Sequence, residues 1–296
     1  MFDKEKTDLY KSIETRLSEY FGKEVFISSS SAVGGGCINN ASKLKTNLGT
    51  FFLKWNSNCA GDMFIREAQG LREMKKASGR SLIIPEVYAT AEGPAGFIVL
   101  EYLNPGYMAS EGDEALGRGL AEMHKFTSDR FGFYDDNYCG TTPQKNTWKT
   151  DWVEFYRDNR LRFLLDEIQR RRSLPAGERK IYDRMLNRIP ELLPQESKPV
   201  LIHGDLWSGN YMITENGPAL IDPAAYYADR EMEMSIMTLF GGFSGRFFDA
   251  YNEINPLPPG WKERNKLYQL YHILNHYHLF GGGYGSQALH VAMRYI

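Results

Sequence analysis

The sequence predicts an α+β fold of two lobes, a small antiparallel sheet with one key helix followed by a larger, mostly helical lobe. Three observations predict it. In the first hundred residues, short apolar runs alternate with turn residues, the pattern of paired strands. Asn104-Pro105-Gly106 then breaks the chain, and beyond it apolar residues recur mainly at helical spacing. Within that helical half one stretch reverts to strands, PVLIHGDLWSGNYMITENGPALIDP at 199–223. The boundary is placed between residues 103 and 104, giving an N-terminal sheet lobe over 1–103 and a C-terminal, mostly helical lobe over 104–296.

The chain has 296 residues, enough for one large core or two modest ones. A formal charge of -2 gives no electrostatic reason to expect nucleic acid or a membrane surface. No apolar run reaches transmembrane length, and the amphipathic N-terminus lacks a signal-peptide core. Three cysteines without C-x-x-C argue against a disulfide framework or a zinc site, so a reducing cytoplasm is the expected location.

Taken in order, Leu9, Ile13 and Leu17 mark a helix over about 4–21, and Glu24 to Ser31 reads as a strand. Gly34-Gly35-Gly36-Cys37 follows, where backbone could lie close to a ligand and cradle phosphate oxygens; a flexible hairpin tip reads as well, and no Walker lysine follows. Ala41–Asn47 and Thr50–Trp55 form a hairpin. On its second strand Phe51, Leu53 and Trp55 share one face, Phe52 and Lys54 the other. Glu67 falls on the apolar side of a helix over about 60–77, where a carboxylate needs a partner; Lys54 is the candidate. A strand at 86–91 is followed by one at 96–103, which ends at Glu101, Tyr102 and Leu103; this is an ordinary strand terminus or, with the flanking motifs, a hinge whose backbone could hydrogen-bond adenine.

The second half opens with a helix over about 111–126. The aromatic segment 131–172 contains a long loop to Trp148 and a helix from about Asp151, on which Trp152, Phe155, Tyr156 and Phe163 fit a core stripe better than a substrate wall. Further helices are expected at about 177–192, 245–253, 261–279 and 286–295, with one around Met234 to Phe240. His272 and His276 stand four apart, but without the glutamate of a zincin motif they read as core or surface residues.

The stretch at 199–223 carries the chemistry. Val200-Leu201-Ile202 reads as a buried strand ending at His203-Gly204-Asp205. Asn210 follows five residues later, and an Asn216-Gly217 hairpin returns to Asp222. Phosphoryl transfer needs one carboxylate to orient or deprotonate the attacking hydroxyl, and an amide with a second carboxylate to hold Mg²⁺. Asp205, Asn210 and Asp222 supply these, and the Asp205–Asn210 spacing equals that of the kinase catalytic loop. A strand-turn-strand with ordinary polar loops is the bland alternative.

The chain resembles the fructosamine kinase family, ketosamine 3-kinases of the protein-kinase-like superfamily. The resemblance spans nearly the full length through GGGCINNA, FFLKWN, EAQGL, the FGF…CG…PQ.N.W segment, HGDLWSGN, IDPA, LFGGF and YHILNHYHLFGGGY. It implies a bilobal kinase-like fold, with Asp205 as base for a sugar hydroxyl and Asn210 and Asp222 on Mg²⁺. Lys54 with Glu67 would grip the ATP phosphates under Gly34, Gly35, Gly36 and Cys37, and Glu101, Tyr102 and Leu103 would receive adenine. The acceptor would be a small or protein-bound ketosamine, and phosphorylating its 3-hydroxyl would release the amine. Trp207, Trp148 and Trp152 are the candidate acceptor-site residues. Asp222 is followed by Pro-Ala, so no Phe-driven switch is expected. The alternatives are a kinase of the aminoglycoside or choline type, which shares all the ATP chemistry, and a nucleotide-binding module without turnover. A monomer is expected. Cys37 is a candidate redox thiol able to link two molecules, with Cys59 and Cys139 as bystanders.

Overall fold

The computed structural model describes residues 2–296 apart from 35–38, 58–59, 80, 94–95 and 107–110, and the side chains from residue 6 onward. Gly35, Gly36, Cys37 and Cys59 therefore lie outside the described residues.

Helix α1 (Phe2–Phe21) leads into a five-stranded antiparallel sheet. Its strands are β1 (Ile27–Ala32), β2 (Asn40–Thr46), β3 (Gly49–Asn56), β4 (Val87–Ala91) and β5 (Gly96–Glu101), in the order β1-β2-β3-β5-β4. Helix α2 (Met63–Ser78) is inserted between β3 and β4. Strand alternation decides what each face meets. Phe51, Leu53, Phe97 and Val99 point outward and pack under Leu9, Ile13 and Leu17 of α1. Ile98 and Leu100 point the other way and join Phe64, Ala68 and Leu71 of α2 in the core that continues through the helical half. Both helices expected in this lobe are present, and each covers one sheet face.

Beyond the sheet come α3 (Glu111–Met123), a two-stranded hairpin of β6 (Asn137–Cys139) and β7 (Thr142–Gln144), and α4 (Trp152–Glu154). The Asp151 carboxylate caps α4 by accepting the Glu154 N–H. The same helix continues through a π-wound segment, Phe155–Arg162, into α5 (Phe163–Arg172), followed by α6 (Ala176–Leu192). In the π-wound segment the buried Arg160 guanidinium lies 3.9 Å from the Tyr226 ring centroid and donates to the Lys145 carbonyl and the Asn146 side chain. Nothing in a 3.6-residue period announces that winding.

Strand β8 (Val200–Ile202) pairs with β11 (Tyr226–Ala228), whereas β9 (Tyr211–Thr214) pairs with β10 (Gly217–Leu220). Four helices close the chain: α7 (Glu231–Phe240), α8 (Gly245–Ile254), α9 (Trp261–Phe280) and α10 (Tyr284–Met293). No helix among the described residues is long and apolar enough to cross a membrane.

Two expectations need correction. The segment before Trp148 is not a bare loop but carries the β6–β7 hairpin, stapled by Asn146. The Asn146 amide donates to Asp135 O and to Asn137 Oδ1, and its backbone N–H to Asp136. Trp152 is no acceptor-site residue. It is 2% exposed, stacks on Phe155 and Tyr156, and donates its indole N–H to Tyr268 Oη at 2.8 Å.

Candidate active site

Between the sheet and the helical half lies a cleft of about 390 Å³. Its apolar walls include Phe52 and Leu100 on the sheet side and Met212 and Ile221 on the other. Gly34, Glu101, Tyr102 and Leu103 line its sheet-side rim, and Asp205, Trp207, Asn210 and Asp222 face them. Trp148 is not on this lining; it packs on Tyr227 and Tyr134, with Arg130 over its ring.

Lys54 enters from β3 because the strand's pleat turns it away from α1 and into the cleft. Its ammonium lies 2.9 Å from both Glu67 oxygens and 2.8 Å from Asp222 Oδ1. Burial, the largest influence, acts to lower the Lys54 pKa, but Glu67 and Asp222 together outweigh it and the net shift is upward. Lys54 is therefore a fixed cation. One side chain thus ties β3, α2 and the loop after β10 together.

The HGD loop follows β8. His203 is fully buried; its Nε2 is paired with Ile221 O at 2.8 Å, and burial holds its pKa below the usual value. Gly204 adopts φ +81, and a Cβ there would lie 2.3 Å from Ala224 O, so only glycine allows the two loops to meet. Asp205 accepts from the Asn210 amide at 3.2 Å. Its carboxyl is pushed up to about 7, by burial first and then by the charges of Asp222 and Glu233. Asp222 itself sits in the left-handed region at φ +57, a costly conformation for a residue with a Cβ. Trp207 is 38% exposed at the mouth, its ring lying where a Cβ on Gly209 would come within 2.3 Å. The loop of LFGGF lies beneath, with Gly242 O accepting from Tyr211 Oη.

Sequence reasoning missed two residues. Glu233, on the first turn of α7, is fully buried and accepts the backbone N–H groups of His203 and Gly204. It anchors the loop that carries Asp205, and the helix N-terminus favours its charge. A glutamate in an apolar helical stretch, EMEMSIM, was the available signal. Cys139 is the other. It is buried beside Asp205, with Asn275 Nδ2 3.2 Å from its sulfur. Burial pushes its thiol well up and leaves it unreactive.

A small twisted sheet over a helical half, with the polar cleft between them, is a protein-kinase-like architecture. The aminoglycoside phosphotransferase APH(4)-Ia superposes with a TM-score of 0.61 at 16% identity, over 96% of this chain and 98% of that one, which shows the shared fold. The particular family follows from closer likenesses. The fructosamine kinase profile matches residues 9–296, and the chain belongs to that family. It is 44% identical to the chloroplastic protein-ribulosamine 3-kinase of Oryza sativa subsp. indica, over 93% of this chain and 81% of that protein. It is 33% identical to the mouse ketosamine-3-kinase, over 87% of this chain and 92% of that protein. A crystal structure from Haemophilus somnus 129PT, provisionally named fructosamine-3-kinase, aligns with a TM-score of 0.86 at 28% identity over 97% of both chains.

Proposed function

We propose that this protein is a ketosamine 3-kinase, transferring the γ-phosphoryl group of ATP to the 3-hydroxyl of a sugar-derived ketosamine and so initiating its deglycation. The observation that carries the reading is the convergence of Lys54, Glu67, Asp205, Asn210 and Asp222 on one cleft. We further read residues 1–103 and 104–296 as the two functional lobes.

In this reading adenine lies between the Phe52–Leu100 wall and the Met212–Ile221 wall, with its edge toward the backbone of Glu101 to Leu103. Lys54, held straight by Glu67, offers its ammonium to the nucleotide phosphates. Asp205 points at the acceptor hydroxyl and takes its proton. A carboxyl brought near neutrality is a better proton acceptor than one with an ordinary value. Trp207 offers a flat, half-open apolar surface at the acceptor side.

Among the described residues no group of three His, Cys, Asp or Glu could hold a metal by itself. Asn210 and Asp222 supply hard oxygens only, which fits Mg²⁺, an ion commonly held by one or two protein ligands with phosphates and water. When bound it would neutralise charge on the transferring phosphoryl group.

The aminoglycoside and choline alternatives share the ATP chemistry, but likeness to APH(4)-Ia is at the level of fold, whereas 33–44% identity runs to proteins named for ribulosamine or ketosamine. Turnover of ATP against a panel of fructosamines, ribulosamines and erythrulosamines, with choline and kanamycin as controls, tests the reading. Turnover is expected with ketosamines alone; turnover confined to choline or kanamycin would overturn it.

A further inference from the structure

Glu67 reaches Lys54 only if α2 lies in one place, and apolar contacts alone do not fix that place. Phe64, Ala68 and Leu71 join Ile98 and Leu100 in the core, but such packing is non-directional and tolerates a helix that slides or tilts. Hydrogen bonds are directional and fix its register. A polar stripe on α2 supplies them. Asp62 just before the helix, then Arg66, Gln69 and Glu73, are spaced four, three and four residues apart, so they stand above one another on one face. Glu67 lies about 100° round the helix from Arg66.

The stripe meets residues 134–138 and β11 of the helical half. Tyr138 Oη donates to Asp62 Oδ1 at 2.7 Å, and Asp135 Oδ2 receives Arg66 Nη1 at 2.7 Å and Gln69 Nε2 at 3.1 Å. At the other end Glu73 Oε1 accepts from Tyr134 Oη at 3.1 Å and from Tyr227 Oη at 2.8 Å. Between these ends the helix backbone comes close to the chain just after Asp222. A Cβ on Gly70 would lie 3.3 Å from Ala225 Cβ and 3.5 Å from Pro223 Cγ. The two ends are not equal. The Asp135 side chain is 43% exposed, so water screens its pairs, whereas that of Glu73 is 6% exposed and its carboxylate must be satisfied from within. Lys76 Nζ, 2.6 Å from Glu73 Oε2, belongs to the same helix and cannot seat it. Tyr134 and Tyr227 come from the other side and can.

We propose that Glu73, with Tyr134 and Tyr227, is a positioning site that seats α2 on the helical half and so holds Glu67 against Lys54, an inference that rests on the reading of Lys54 as the ligand of the nucleotide phosphates. The grip on the phosphates is then set from the far side of α2, by residues that touch neither nucleotide nor Lys54.

A double-mutant cycle tests this, read by calorimetry with a non-hydrolysable ATP analogue below the melting range of every variant. Glu73→Leu is expected to weaken nucleotide binding about tenfold in the parent and by less than about twofold in Lys54→Met, because a residue that acts through Lys54 has nothing to act on once the ammonium is gone. A residue that only stabilises the fold would not show this dependence, so equal factors in the two backgrounds overturn the proposal. Glu73→Gln keeps an acceptor oxygen for the two hydroxyls and is expected to recover most of the loss; equal losses in the Gln and Leu variants overturn it. Should Glu73→Leu not fold, Tyr134→Phe with Tyr227→Phe deletes only the two hydroxyls and takes its place in the cycle, with the same expected pattern. If Lys54→Met binds nucleotide as the parent does, the reading of Lys54 falls and the inference with it. If Lys54→Met weakens binding and Glu73→Leu does not, the seat alone falls, so the two failures are distinguishable.

Discussion

Replacing Lys54 by methionine separates what the Lys54–Glu67 pair does for folding from what it does for the nucleotide. The two side chains are 8% and 9% exposed, so solvent screens them little. Methionine fills much of the lysine stem's volume but leaves the Glu67 carboxylate buried without its cation. Breaking a buried pair from one side costs about 3–5 kcal/mol. For a chain of this size that corresponds to a melting temperature lower by roughly 10 °C. The double variant Lys54→Met with Glu67→Leu removes both charges together. Buried pairs exchanged for apolar side chains are often neutral or stabilising, so most of the lost stability is expected to return. Nucleotide affinity is not, because the ammonium is absent from both variants. Thermal melts and titration calorimetry with a non-hydrolysable ATP analogue read the two effects separately. If the double variant is no more stable than the single, the carboxylate is not the source of the cost. If it regains nucleotide affinity, Lys54 serves the fold alone.

Asp205→Asn is expected to lower turnover by about 10²–10⁴ while leaving nucleotide affinity within a few-fold, in stopped assays and calorimetry; near-normal turnover would remove Asp205 from the chemistry. The pH profile of kcat/KM should fall on the acid side, since Asp205 must be ionised to accept a proton. Its carboxyl is raised to about 7 by burial, Asp222 and Glu233. A divalent cation on Asp222 offsets one of those causes, so the midpoint is expected at or below pH 7, and a flat profile down to pH 5 would contradict this. Activity should be lost in excess EDTA and return with Mg²⁺ or Mn²⁺; full activity in EDTA would sink the metal assignment. Glu233→Leu leaves the His203 and Gly204 N–H groups without an acceptor, and a loss of about 2–5 kcal/mol in urea unfolding is expected, against little change if those bonds are incidental.

Much of the site was legible in the sequence because it depends on local spacing. Asp205 and Asn210 share one loop, and the Asn216-Gly217 turn returns the chain to Asp222. The alternation of β3 alone placed Lys54 opposite Phe51 and Leu53, and an apolar helix face made Glu67 need a cation. These follow from side-chain period and from the cost of burying charge, and the 2.9 Å contact meets both expectations. The tertiary structure decided what sequence distance conceals. Trp152 and Trp207 are equally aromatic, but one is sealed against Tyr268 and the other lies half open at the cleft. Helical spacing favoured a core place for Trp152, and packing decided it. Strand β8 takes β11 as its partner and not the nearer hairpin, because Ala224 N–H reaches back to His203 O and Gly204 lets the loops touch. Glu233 is decided the same way. It becomes important only when α7 is laid against the loop that carries Asp205, since a buried polar group takes its role from the partner the fold brings to it.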